Sequence, residues 1–260
     1  MIKEMFLNLY SYRQLLKSNV QKEIRGKYKG SFLGILWSFV NPLLMTLVYA
    51  IIFPLILRNT EAHYVTYLII GILPWNYFIT VIGQGTTTVL INGGILKKVY
   101  FPREILPISV NLSGVINFFI SCLVMCLFLI FSGIGFSWHI IFFPLVVLIQ
   151  FIIQQGIIFI TSSINVYVRD SEYIINFLLS MLFYATPILY SSNMFSGSMI
   201  ENIIKLNPMS TIINSYRDIF YYPVVPDFKL LLVVLILGIV LFYVGLKVFR
   251  KLEKGFAEEL

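Results

Sequence analysis

Charge is scarce along most of this chain. Between Glu104 and Arg169 lie 64 residues, Ile105 to Val168, without one Asp, Glu, Lys or Arg. A bilayer core about 30 Å thick takes roughly 20 apolar residues per helix, so this stretch reads as two membrane crossings and a turn. The same gap excludes mechanisms. Ion-driven transporters and intramembrane enzymes generally keep ionisable groups at mid-membrane depth; none is available here, so the driving energy must come from another source. Cysteine is also rare. Cys122 and Cys126, four apart in an apolar run, share a helix face and read as small hydrophobes rather than metal ligands. The two histidines, His63 and His139, have no cluster of further ligands beside them and read as interfacial. There is no G-x-x-x-x-G-K-[ST] phosphate loop, no HExxH and no Ser/His/Asp set, so the chain carries no nucleotide-hydrolysing or nucleophilic site of its own. No short apolar run follows a basic start, which argues against a cleavable signal peptide.

Apolar residues make up 58% of the chain and charged residues 12%, half the share usual in soluble domains. The pI near 9.3 does not point to nucleic acid, because the basic residues cluster at the ends of apolar runs. Six spans are expected, near residues 32–57, 68–91, 106–131, 140–164, 174–190 and 230–248. The uncharged run 64–96 is too long for one straight helix and is punctuated by Gly71–Pro74 and by Gly93–Gly94. With six spans, 15 of the 19 Lys and Arg fall on the side of the termini and 4 on the other. The positive-inside bias then places both termini in the cytoplasm. No internal repeat is evident, which weighs against folds built from inverted repeats.

At the N-terminus Met5, Leu9, Tyr12, Leu16 and Val20 fall on one helical face. Residues 1–29 therefore read as an amphipathic helix on the membrane surface, or as an ordinary charged leader helix. Residues 191–226 are polar and aromatic, and Thr211–Tyr222 has helical spacing but is too short and polar to span. This suggests short re-entrant or interfacial helices between spans 5 and 6. The domain plan is thus an interface helix over 1–29, a six-span domain over 30–250 and a cytoplasmic tail over 251–260. The fold class is an all-α polytopic membrane protein.

Six sequence segments, in order, then carry a resemblance. Arg25-Gly-Lys-Tyr-Lys-Gly-Ser-Phe-Leu-Gly-Ile-Leu-Trp37 with Asn41-Pro42, Gly71-Ile-Leu-Pro-Trp75, and Leu96-Lys-Lys-Val-Tyr-Phe-Pro102 are the first three. Asn165-Val-Tyr-Val-Arg169-Asp170, Ala185-Thr-Pro187-Ile-Leu-Tyr190, and Asn207-Pro208 followed by Tyr216-Arg217 complete the set. Together they resemble the ABC-2 type permeases, and within them the exporters of O-antigen, capsule and teichoic acid.

That resemblance implies a permease subunit of an ATP-driven exporter that moves a polyprenyl-diphosphate-linked polysaccharide across the bacterial plasma membrane. It also implies a homodimer with two copies of a separate P-loop ATPase, which would hold the ATP and Mg. This chain would then carry no catalytic residue, cofactor or metal. The alternatives are an ABC-2 exporter of a small lipid or drug, or a non-transport membrane scaffold for glycan assembly. In the family, the loop between spans 2 and 3 docks the ATPase. Here that loop presents Lys97, Lys98, Tyr100, Phe101 and Arg103, read as an aromatic anchor with a basic rim or, equally from its lysines, as a clamp on lipid headgroups. Arg25, Lys27 and Lys29 are positioned for a lipid diphosphate or for anionic headgroups. Flat rings match the C–H faces of sugars, so Trp37, Phe39, Tyr49, Trp75, Tyr77, Phe78, Tyr184 and Tyr190 are candidates for a glycan path, against the reading that they form membrane belts. Arg169 and Asp170 are read as an inner-surface ion pair, serving either signalling from the ATPase or capping of the fifth span.

Overall fold

The computed structural model describes residues 1–260 apart from 29, 33, 58–61, 192–193, 195–196, 198–201, 203 and 205; within helices, the side chains of 27, 28, 35, 38 and 54–57 are also left out. The described residues form helices α1 (Ile2–Ser11), α2 (Arg13–Tyr28), α3 (Trp37–Leu57), α4 (Tyr64–Ile91), α5 (Gly93–Leu96) and α6 (Ile105–Phe131). They continue as α7 (Phe143–Tyr167), α8 (Ser171–Tyr184), α9 (Pro208–Phe220), α10 (Phe228–Leu252) and α11 (Phe256–Glu259). No strand occurs among the described residues.

Four of these helices are long and apolar enough to cross a membrane by themselves: Tyr64–Ile91, Ile105–Phe131, Trp138–Tyr167 and Phe228–Glu259. The chain is a multi-pass membrane protein. α8 covers only part of the fifth expected span. Its 14 residues reach about 21 Å at 1.5 Å per residue, and the chain leaves the helix at Ala185, five residues before the expected end. α3 opens after a turn of 3-10 helix at Gly34–Leu36, so the first apolar helix starts at Trp37.

α4 is the central helix. In its apolar window 78% of residues are buried, against 28% in the corresponding windows of α6 and α10. α4 also runs unbroken through Pro74, where the sequence suggested an interruption. A proline leaves an i−4 carbonyl without its donor, and in a membrane such a kink persists only where neighbours supply polar partners. The carbonyl left without a donor is that of Ile70; one turn further on, Gln150 of α7 donates from Nε2 to the carbonyl of Pro74 itself at 2.9 Å. The Gln150 amide oxygen in turn accepts from the Tyr216 hydroxyl of α9 at 2.9 Å. A second buried link joins Tyr77 to Asn111 at 2.9 Å and Asn111 to Gln155 at 3.0 Å. α4, α6, α7 and α9 are therefore tied by neutral hydrogen bonds inside an apolar core, where a buried polar group without a partner is costly.

α7 and α10 approach backbone to backbone. A β-carbon on Gly156 would stand 2.6 Å from the Leu241 carbonyl carbon and from the Phe242 nitrogen, and one on Gly245 would strike the Gly156 carbonyl. Small residues at such crossings let membrane helices gain close van der Waals contact where no hydrophobic driving force exists between helices.

The amphipathic N-terminal region is two helices, broken at Tyr12. The face expected along the membrane surface closes partly on the chain itself. Met5 is buried, with Leu9, Tyr12 and Leu16 against the same cluster, beside Val89, Leu96, Phe101, Phe249 and Phe256. The other face of α1, with Phe6 and Tyr10, is exposed. The tail 251–260 folds back into this cluster too: Phe256 is fully buried, and the Tyr167 hydroxyl donates to the Leu252 carbonyl at 2.8 Å.

Candidate functional site: a polar and aromatic cleft with two anchored ends

α4 exposes a polar strip. Asn76, Thr80 and Gln84 recur every four residues, the spacing that places side chains one above the other on a helix. Two clefts open on this strip. One, of about 470 Å³, lies between α3, α4 and α8 and is lined by Tyr49, Trp75, Asn176, Ser180, Phe183 and Tyr184 among others. The other, of about 550 Å³, lies between α3, α4 and α6, with Trp37, Asn41, Tyr77, Gln84, Asn117 and Ser121 in its wall. Met45 of α3 and Asn76 and Thr80 of α4 belong to both, so the clefts adjoin on either side of Met45. Neither lining contains Asp, Glu, Lys, Arg or His.

A strap of non-helical backbone, residues 185–190, follows α8, whose Tyr184 lines the first cleft. The carbonyls of the strap are caught by side chains from elsewhere. Arg217 of α9, 1% exposed, donates to Pro187 O at 2.5 Å and to Ile188 O at 2.7 Å. Tyr64 donates to Leu189 O at 2.8 Å and Tyr67 to Tyr190 O at 3.0 Å. Asn207 donates to the Thr186 hydroxyl at 2.8 Å, and the Tyr190 hydroxyl donates to Tyr184 O at 2.9 Å. Asn207 also caps α9, accepting from Met209 N at 3.0 Å ahead of Pro208 at the first helical position, the arrangement that suits a helix start. The guanidinium lies 3.6 Å from the centre of the Tyr67 ring, a cation–π stack. A β-carbon on Gly71 would come within 2.9 Å of Arg217 Nη2, so glycine at 71 leaves the room that Arg217 occupies. Three of the six segments behind the sequence resemblance thus meet or neighbour one another here: Gly71–Trp75, Ala185–Tyr190, and Asn207–Pro208 with Tyr216–Arg217.

The end that carries both termini is built differently. Glu104, 3% exposed, accepts from Arg250 Nη2 at 3.2 Å and from Asn8 Nδ2 at 3.3 Å. Arg250 Nη1 pairs with Glu4 at 2.8 Å, and the N-terminal amine lies 3.2 Å from the same carboxylate. Arg103 donates to the Glu253 carbonyl and stacks 5.7 Å from the Phe256 ring centre. Lys22 donates to Asn92 at 2.8 Å, and Leu260 lies over Gly93. The loop 92–104 is therefore clamped at its base by α1, α2 and the end of α10.

The sequence-derived candidates divide accordingly. Tyr49, Trp75 and Tyr184 line the first cleft, and Trp37 and Tyr77 the second. Phe78 is buried in the core, Phe39 is half-buried outside both linings, and Tyr190 serves the strap. In the loop, Lys97, Lys98 and Tyr100 are exposed, Tyr100 at 92%. Phe101, proposed from sequence as the anchor, is 6% exposed in the chain's own cluster, while the adjacent Tyr100 ring is left in the open. Arg25 is exposed on α2, whereas Lys29 and the side chain of Lys27 lie outside the described residues. Arg169 and Asp170 are both exposed, and no ion pair joins them among the described residues. Asp170 stands at the start of α8 without a side-chain cap hydrogen bond; exposed pairs gain little from ordering two side chains. The strip Asn76–Thr80–Gln84 was not singled out from sequence, although its four-residue recurrence inside an apolar run was a legible signal. Among the described residues no group of three His, Cys, Asp or Glu could hold a metal.

Residues 14–221 match the ABC-2 type transporter family. Among characterised proteins, the chain is 36% identical to the O-antigen export system permease protein RfbA of Myxococcus xanthus over 97% of both chains. It is 34% identical, over 99% of both chains, to each of two proteins of the same name from Klebsiella pneumoniae.

Proposed function

Because this chain belongs to the ABC-2 type transporter family, we propose that it is the permease subunit of an exporter moving a polyprenyl-diphosphate-linked polysaccharide across the plasma membrane. A separate ATPase hydrolyses ATP with Mg and docks on the loop 92–104, whose exposed Lys97, Lys98 and Tyr100 form the contact in place of the buried Phe101. Two copies of the chain work with two of the ATPase, with both termini in the cytoplasm, consistent with the 15 of 19 basic residues on that side. Arg25, with Lys27 and Lys29, meets the diphosphate or the surrounding headgroups at the cytoplasmic face.

The observation that carries this reading is the pair of adjoining clefts. Amide and hydroxyl side chains beside Trp37, Tyr49, Trp75 and Tyr184 offer a sugar chain hydrogen bonds for its hydroxyls and flat rings for its C–H faces. An exporter of a small apolar lipid has no use for an amide strip at this depth, where unpaired polar groups are expensive.

The test is purification of the tagged chain from its own membranes in mild detergent, with mass spectrometry of what co-elutes. A stoichiometric ATPase with a polyprenyl-linked glycan supports the proposal. An ATPase with only small lipids moves the reading to a lipid exporter, and no ATPase at all removes it.

A further inference from the structure

Resting on the export reading above, we propose that the two clefts take an uncharged glycan chain, and that the strip Asn76–Thr80–Gln84 sets this preference against glycans bearing phosphodiesters. Three observations carry it. First, both linings are polar without being charged: Asn41, Asn76, Thr80, Gln84 and Asn176 face the clefts, and no acid, base or histidine does. Second, the side chains of Asn76, Thr80 and Gln84 make no hydrogen bond within the chain among the described residues, and they stand at the open clefts rather than in the core. Their donors and acceptors are thus available to a ligand. Third, rings stand beside the strip: Tyr49 and Trp75 in one cleft, Trp37 and Tyr77 in the other.

The chemistry follows from what each group can exchange. An amide offers donors and an acceptor, and a hydroxyl is both at once. A sugar hydroxyl shed of water therefore finds a partner in either sense at Asn76, Thr80 or Gln84. The strip repeats every four residues, about 6 Å along the helix, so a chain that advances leaves one set of partners as it meets the next. A phosphodiester has a different need. It carries a full charge, which at membrane depth requires a cation or a dense set of donors. Among the described residues no cation lines the clefts: Arg217 is spent on the strap carbonyls, and Arg103 and Arg250 on the junction at the termini. The lipid diphosphate itself is met outside the clefts, so the selection acts on the polymer.

The experiment uses the permease with its ATPase in proteoliposomes. Two probes share one polyprenyl diphosphate anchor and one length. One carries a neutral hexose polymer and the other the same polymer with phosphodiester links. ATP hydrolysis stimulated by the neutral probe is expected to exceed that by the charged probe about tenfold, a ratio equivalent to about 1.4 kcal/mol. In Thr80→Lys, which places a cation where the clefts adjoin, the ratio should shift toward the charged probe by about the same factor. The ratio is read within each variant, so a change in the amount of folded protein does not enter it. Equal stimulation of the wild type by both probes, or a ratio unmoved in Thr80→Lys, overturns the inference and leaves the export reading standing. Stimulation by neither probe overturns the export reading, and the inference with it.

Discussion

The two ends of this molecule hold irregular backbone by opposite means. At the strap, 185–190, acceptors are backbone carbonyls and hydroxyls, and the cation that binds them, Arg217, is 1% exposed. At the junction of the termini, Glu104 and Glu4 face Arg250, and Glu4 is largely open to solvent. The carbonyls that accept from the buried cation do not respond to pH and have little contact with salt. A network of partly exposed ion pairs is tuned by both. The comparison separates a fixed strap beside the cleft helix α8 from an adjustable seat for the loop 92–104, the proposed ATPase contact.

The largest effect is expected at the strap. Arg217→Ala strands two carbonyls and opens space beside Tyr67. Hydrogen bonds to a charged group contribute about 1.5–3 kcal/mol each, so losing two is expected to cost about 3–6 kcal/mol, seen as loss of the folded protein from detergent extracts by size exclusion. Arg217→Lys is expected to fail as well, because an ammonium does not reproduce the fork that spans adjacent carbonyls. Survival of either variant at wild-type levels removes the fixed strap from the comparison.

Next come the two adjacent rings of the loop. Phe101→Ala empties a buried site, and large-to-small changes of this kind cost about 3–5 kcal/mol. Tyr100, 92% exposed, is expected to leave the thermal midpoint of the permease unchanged on truncation to Ala while lowering its co-purification with the ATPase. The reverse pattern would restore Phe101 as the docking ring.

A smaller effect is expected in the pH dependence of the junction. Burial first, and then the Glu104 carboxylate, push the Glu253 carboxyl from its ordinary 4.5 up to about 7; this residue follows the charged turn that ends the sixth apolar run. The folded protein therefore holds a proton there that the unfolded chain releases between 4.5 and about 7. The associated stability is present below 4.5 and is lost as pH rises through about 7. Glu4 has the opposite sign: Arg250 lowers its pKa, so its contribution is lost as pH falls below its ordinary range. Glu253→Gln should flatten the thermal midpoint between pH 4.5 and about 7; an unchanged slope would show that the junction does not titrate there. Glu4→Gln is expected to give the least change, confined to low salt.

The same comparison shows what could be read beforehand. The face of Met5, Leu9, Tyr12 and Leu16 is visible as a period, but its partner is not: the cluster around Phe101 and Phe256 gathers residues from four distant parts of the chain. The bond that ties α7 to α4 at Pro74 is not legible in the sequence, because its donor, Gln150, lies 76 residues away. The motif residues of the strap were noticed as a pattern, yet their use was hidden, since the acceptors they serve are carbonyls that every sequence has. Tyr100 and Phe101 are adjacent rings, and a turn with no periodicity does not tell which one points inward. The cleft aromatics Tyr49, Trp75 and Tyr184 were named from ring chemistry alone, and the amide strip between them was passed over because attention went to rings and charges.

The central claim is that a glycan passes along α4. A photo-crosslinking residue at Thr80, with one at lipid-facing Leu232 of α10 as control (57% exposed), tests it during ATP-driven export in cells. The account predicts glycan adducts at position 80 and none at position 232. Export that proceeds with no adduct at 80, or with equal adducts at both positions, contradicts it.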